Sequence, residues 1–312
     1  MAGADLSLWK PVLIIGVLQA GLYGLLPIAF VLSYRVSRTI AFVHGGIAGA
    51  CGFLYFMLVY DGTFVPGPHP ALPPWLGLTL MVIFGGILGG AYGILVLSRR
   101  VASLSIMTLT VISLGTMMIL LGIVTKVLLL YPGVLPPGPF GTGTFSVAGI
   151  VVTNLRLGTF AAVVVLVVFL AVSLQSQAGK QIQAICDDLD ASTWCGINVP
   201  RIGMAVYAGS GAIASLAGIL ITATVGPDPL ALFQIILRGL AVAIIGGMLS
   251  LPLALIGALV IGILESALVT GMLGDVGLGR QELLINATLL TLILLIARAR
   301  KLASPVLQRR AL

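Results

Sequence analysis

The chain has 312 residues, 59% of them hydrophobic and 8% charged, with a mean hydropathy of +1.20. A soluble globular domain carries about 25% charged residues, so this composition excludes one. The net charge of +7 arises from 16 Lys+Arg and 9 Asp+Glu. The basic residues form short clusters between apolar runs, which is the pattern of membrane orientation and not of a nucleic-acid-binding face.

Residues Met1 to Lys10 lack the basic n-region of a cleaved signal. The apolar run behind them is about 22 residues, longer than a signal h-region, and reads as a retained first span. Runs able to cross a hydrocarbon core of about 30 Å lie near 11–32, 40–60, 75–97, 104–129, 158–174, 203–225, 230–248, 252–270 and 283–298. The pattern predicts an all-α, polytopic transmembrane helical bundle with eight to ten membrane segments, forming a single domain over residues 1–312.

The segment 40–60 and the junction at Ser250 to Pro252 are glycine-rich enough to be broken or re-entrant. Within 40–60, His44 stands without a second His, Asp or Glu at helical spacing, which favours packing and hydrogen bonding over a relay, with the translocation path as the functional alternative. On the 75–97 run, Gly85, Gly86, Gly89 and Gly90 form small-residue ridges for close helix packing. Lys126, near the end of its span, snorkels to the interface. Cys51, Cys186 and Cys195 fit neither a disulfide framework nor a metal site.

The clusters Arg35 and Arg38, Arg99 and Arg100, Lys180 and Arg201, and the tail with Arg298, Arg300, Lys301, Arg309 and Arg310 belong in the cytoplasm by the positive-inside bias. Nine crossings satisfy them all, with the N-terminus outside and the C-terminus inside. The external loops are then 61–74, 131–157, 226–229 and 271–282, stiffened by Pro66, Pro68, Pro70, Pro73, Pro74, Pro132, Pro136, Pro137 and Pro139 into irregular connections.

The longest cytoplasmic connection runs from Ser176 to Arg201. Ile182, Ile185, Cys186, Leu189 and Thr193 fall at helical spacing and predict one amphipathic helix over 181–195, with Gln183, Asp187 and Asp190 off the stripe. Gly196, Ile197 and Asn198 supply its stop. Asp187, Asp188 and Asp190 against a lone Lys180 make the segment acidic, unlike Lys/Arg-rich helices that bind anionic lipid. It either rests on its own membrane domain or docks another protein.

Arg238 and Glu265 are the charges least able to reach water, and a charge near the bilayer centre is tolerated only when paired or in a wet cavity. With a turn at Ser250 to Pro252 they lie at similar depth on antiparallel helices, about 12 and 13 residues from it. Two roles follow: a salt bridge fixing the hairpin, or a place on the translocation path where a zwitterion meets one charge of each sign.

Three separated motifs resemble LivH-type permeases, the membrane subunits of branched-chain amino acid ATP-binding cassette importers. Residues 179–198 are similar to the family's cytoplasmic loop, with Lys180 as the basic residue, Gln183 and Ala184 in place of an Arg-Ala pair, Asp187 and Asp188 as the acidic pair, then Gly196, Ile197 and Asn198. Ile40 to Gly45 resembles Ile-Asn-Phe-Ala-His-Gly, with Ala41 replacing asparagine. Gly246 to Pro252, continuing to Gly262 and Glu265, resembles Gly-Gly-x-Gly-Ser-x-Pro-Gly, with Leu249 and Leu253 replacing glycines.

The resemblance implies that the loop carries a coupling helix seated in an ATPase. No G-x-x-x-x-G-K-[ST] phosphate loop occurs in the sequence, so ATP and Mg would be held by partner chains. The implied partners are a second permease, LivM-like or a second copy, two cytoplasmic ATPase subunits and an extracytoplasmic solute-binding protein, all at the inner membrane. The chain itself is not an enzyme. The implied solute is a branched-chain or similar small amino acid, with urea or short amides as the alternative within the family. Outside it stands an ATP-independent carrier or channel.

Overall fold

The computed structural model describes residues 6–59, 72–97, 104–130, 139–141, 143–147, 149–226, 228–270, 284–294 and 298. Pro66, Pro68, Pro70, Pro132, Pro136, Pro137, Arg99, Arg100, the loop 271–282 and the basic tail after Arg298 lie outside the described residues. The elements are α1 (Leu6–Ser37), α2 (Val43–Val59), α3 (Pro74–Leu97), α4 (Ile106–Leu130), β1 (Thr144–Val147), β2 (Ile150–Thr153), α5 (Asn154–Gln175), α6 (Gln177–Asp187), α7 (Leu189–Trp194), α8 (Val199–Val225), α9 (Pro229–Ile245), α10 (Leu251–Val269) and α11 (Leu284–Leu294).

Six helices, α1, α3, α4, α5, α8 and α10, are long and apolar enough to cross a membrane. The shorter apolar helices α2, α9 and α11 fall, in order, on the three remaining apolar runs of the sequence. At 1.5 Å per residue the 17 residues of α2 or α9 rise about 25 Å, short of a full hydrocarbon core. For α2 the missing length is irregular backbone. Residues 38–42 are not helical, and their polar groups are satisfied inside the protein: Ser113 Oγ donates to the Ile40 carbonyl at 2.9 Å and lies 3.2 Å from the Phe42 amide. Within a membrane, non-helical backbone is tolerated only where protein covers it.

The centre of the bundle is α1 and α8, both largely buried, while α4 and α5 present apolar side chains outward, such as Ile119, Val165 and Phe169. In lipid that exposure carries no hydrophobic penalty, so association depends on close packing at small residues. The crossing of α3 with α8 is built this way. A Cβ on Gly89 would meet Gly211 Cα at 2.9 Å, and one on Gly211 would meet Gly89 Cα at 2.8 Å. Gly85 faces Ser215, and Gly86 and Gly90 face Ala212 and Ala208. The α2–α8 crossing repeats the device, with Gly52 against the Gly218 carbonyl at 2.6 Å and Gly218 against the Ala48 backbone.

Because the obstacle at Gly218 is backbone and not a flexible side chain, Gly218→Leu has no rotamer that relieves it. Overpacking of this kind costs about 1–3 kcal/mol or more. The variant is expected to unfold at lower temperature in detergent and to accumulate less in membranes. Gly122→Leu, at a position with nothing within 4 Å of its built Cβ, should behave as the native chain.

The connection 131–157, expected to be irregular, is not wholly so. It contains an antiparallel ribbon with Thr144 opposite Thr153 and Val147 opposite Ile150, its turn using Gly149 at φ 83°. The β-branched run Ile150-Val-Val-Thr153 beside a glycine is the local signal for it, overshadowed by the helical periodicity of the rest of the chain. The α9–α10 junction is a tight stop. The Met248 amide donates to Ala243 O at 2.9 Å and the Gly247 amide to Ile244 O at 2.8 Å, a Schellman arrangement with Gly247 at φ 73°. The left-handed positions are Gly247 and Met248, so leucine at 249 meets no backbone demand for glycine.

Candidate functional site

The loop between α5 and α8 folds as two helices, not the single helix over 181–195 that the periodicity predicts. Ser176 begins α6, its Oγ 3.3 Å from the Gly179 amide. Ile182, Ile185 and Cys186 turn toward the bundle, with Ile185 buried. At Asp188 the backbone becomes extended (φ −148°, ψ 115°), ending α6. The carboxylate of the same residue caps the next helix, Oδ1 accepting from the Ala191 amide at 3.0 Å. An aspartate that serves as an N-cap competes with a continuous helix, and a stripe of apolar spacing does not reveal that competition.

The break shifts the helical phase. Among the described side chains of α7, Ser192 is the buried one, whereas Thr193, expected on the inner stripe, is exposed. The side chains of Leu189 and Asp190 lie outside the described residues. Lys180, Gln183, Asp187 and Asp188 are exposed and Ala184 is half-buried. Trp194, which the sequence pattern did not single out, is 88% exposed.

Gly196, Ile197 and Asn198 each have a distinct backbone task. Gly196 adopts φ 80°; its amide donates to Thr193 O at 3.1 Å, and the Ile197 amide to Ser192 O at 3.1 Å, completing a second Schellman stop. Ile197 packs against the core, and Asn198 Oδ1 accepts from the Arg201 amide at 3.3 Å to start α8. The triplet is therefore a stop, an anchor and a start. A left-handed non-glycine residue costs about 1–2 kcal/mol, least for asparagine. Gly196→Ala should lower the melting temperature of the purified chain and speed proteolysis of this loop, with Gly196→Asn affected less.

The C-terminal end of α1 ties this loop to the bundle. Arg38 occupies the left-handed C′ position of α1 at φ 55°, its amide donating to Tyr34 O at 2.8 Å. Its guanidinium donates to the Cys186 carbonyl in the last turn of α6, where a cation complements the helix dipole. One turn earlier, Arg35 donates through Nε and Nη2 to the Leu249 carbonyl at 2.9 and 2.6 Å. The end of α1 thus holds both α6 and the α9–α10 turn. The sequence marked these arginines only as orientation signals.

Deeper in the bundle, Arg238 Nη1 lies 3.5 Å from Glu265 Oε1, at 5% and 15% side-chain exposure. The same nitrogen donates to Tyr23 Oη at 3.1 Å. Gly239 permits this approach, since a Cβ there would meet Leu26 Cβ at 2.9 Å. Tyr23 carries no periodic signal among its apolar neighbours, and only the fold brings it to the pair.

His44 shares no partner with that pair. Fully buried, it has Nδ1 2.9 Å from Ala41 O and Nε2 2.7 Å from Ser210 Oγ. A carbonyl only accepts, so Nδ1 is the donor to Ala41, while Ser210 Oγ, which Nε2 meets, also lies 3.1 Å from the Tyr207 carbonyl. The ring stacks on Tyr207 at 5.8 Å and meets the Phe30 edge at 6.2 Å. No group of three potential metal ligands occurs among the described residues.

Comparison with known proteins gives this architecture a family. The model of the branched-chain amino acid transport system / permease component matches residues 12–298. The high-affinity branched-chain amino acid transport system permease protein LivH of Salmonella typhimurium is 26% identical over 260 residues, covering 80% of this chain and 83% of that protein. LivH of Escherichia coli is 31% identical over 35% of the chain and 34% of its own length. The permease BraD of Pseudomonas aeruginosa is 28% identical over 42% of the chain and 43% of its own length. No solved structure matches. A family match that runs through every membrane helix from α1 to α11 makes the chain a member of the branched-chain amino acid transport permease family, a multi-pass membrane permease subunit of a multi-component ATP-binding cassette importer.

Proposed function

We propose that the chain crosses the inner membrane nine times, with α6 and α7 on the cytoplasmic face as the element through which partner ATPases drive transport. The single observation that supports this most is the exposed polar face of α6, with Lys180, Gln183 and Asp187, followed by the exposed Trp194 of α7, on a helix pair that Arg38 fastens to α1. Two cytoplasmic ATPases hold ATP and Mg, a second permease, related or identical, completes the path, and a binding protein delivers solute to the outer loops. The solute is a branched-chain or similar small amino acid, as the names of the relatives indicate for those proteins.

In this reading the stroke of the ATPases reaches α6, passes by Arg38 to the end of α1, and by Arg35 to the turn of the α9–α10 hairpin. That hairpin carries Arg238 and Glu265, which offer one charge of each sign to a zwitterion once its helices part. His44, with both nitrogens engaged, holds α1, α2 and α8 together. The test is to purify the assembly through this chain and measure solute-stimulated ATP hydrolysis with the binding protein present. Solute flux through the chain with no ATPase bound would overturn the reading in favour of a channel or secondary carrier.

A further inference from the structure

A groove of about 270 Å³ separates α5 from α10, which both pack on α1 but scarcely on each other. Ile28 and Arg35 of α1 form its floor, with Val167 and Ala171 of α5 and Pro252 and Leu255 of α10 among its walls. Every lining residue except Arg35 is apolar. Ile28 and Arg35 are seven residues apart, so the groove extends about 10 Å along the helix from the last turn of α1 toward the bilayer centre.

The charge at its end has no counterion among the described residues. Among the described residues the one ion pair is Arg238 with Glu265, and the Arg35 contacts are those to the Leu249 carbonyl. A guanidinium has five N–H donors, and a single carbonyl leaves three of them directed elsewhere. Among the described residues Arg35 is a half-buried cation with no carboxylate partner, capping an apolar slot in the last turn of α1. Basic pockets between membrane helices at the cytoplasmic face bind anionic lipid headgroups.

We propose that an anionic phospholipid occupies this groove, its phosphate on Arg35 and the first part of an acyl chain between α5 and α10. The placement at the inner leaflet rests on the topology proposed above, whereas binding itself can be measured without solute or ATPase. The bound chain fills the space that α5 leaves beside α10, and the phosphate neutralises the arginine that holds the hairpin turn.

The test is retention of phosphatidylglycerol against phosphatidylcholine by the full chain, read by native mass spectrometry after delipidation and controlled re-addition. Both lipids carry a phosphate, but in phosphatidylcholine the choline cation offsets it, so a lone arginine predicts about tenfold preference for the net anionic phosphatidylglycerol. Arg35→Gln should abolish the preference, and Ala171→Phe, which fills the groove while leaving the arginine, should reduce retention of phosphatidylglycerol. The second variant keeps the test decisive if the first does not fold. Equal retention of the two lipids by the native chain, or phosphatidylglycerol retention unchanged by Ala171→Phe, would overturn the proposal. Disulfide trapping of Ala171→Cys to another permease subunit would do so as well, because protein would then cover the groove.

Discussion

Asp187→Lys is expected to raise the stability of α6 while lowering solute-stimulated ATP hydrolysis by at least about tenfold, or 1.4 kcal/mol of coupling. The two effects have opposite signs because Asp187 is the last residue of α6, and a carboxylate at a helix C-terminus opposes the dipole by about 0.3–1 kcal/mol. Lysine removes that conflict and adds a favourable charge. If Asp187 served only its own helix, the substitution would be neutral or beneficial in every assay. A loss of coupling in a chain that inserts normally therefore locates the residue at an interface, where a reversed charge meets like charge at a cost of several kcal/mol. Trp194→Ala is the companion: an exposed tryptophan contributes little to its own fold, and its truncation at the centre of an interface costs about 2 kcal/mol or more. Unchanged hydrolysis and ATPase association in both variants would sink the docking role.

The apolar helices and the meeting of Arg238 with Glu265 were legible because lipid imposes a length and forbids unpaired charge. Helical rise alone put the two residues level on antiparallel helices. What the pattern could not carry was competition between local hydrogen bonds. Asp188 reads as one of an acidic pair, yet its carboxylate caps α7 and divides the expected helix, so the inner face of the second half passes from Thr193 to Ser192. The tertiary partners Tyr23, Ser210 and Ser113 were equally silent, since a hydroxyl in an apolar span announces no contact with a residue distant in the chain. Arg35 and Arg38 were visible only as charge; that each grips a carbonyl of a distant element depends on where α6 and the α9–α10 turn come to rest.

Arg238→Met is the substitution with the largest expected effect on stability. It leaves the Glu265 carboxylate in a site where its side chain is 15% exposed, with the arginine that faced it gone. Removing one member of a buried pair costs about 3–5 kcal/mol, whereas replacing both members by uncharged groups of similar volume is often neutral or stabilising. The single variant should therefore lose most of its folded yield in detergent, and the double variant Arg238→Met, Glu265→Gln should regain it. The double variant also separates the two roles of the pair. Normal transport by a stably folded, uncharged hairpin would assign Arg238 and Glu265 to packing against Tyr23 and α1 alone. Recovered stability with transport still lost would mean that the charges act on the solute, because nothing in the fold would then require them.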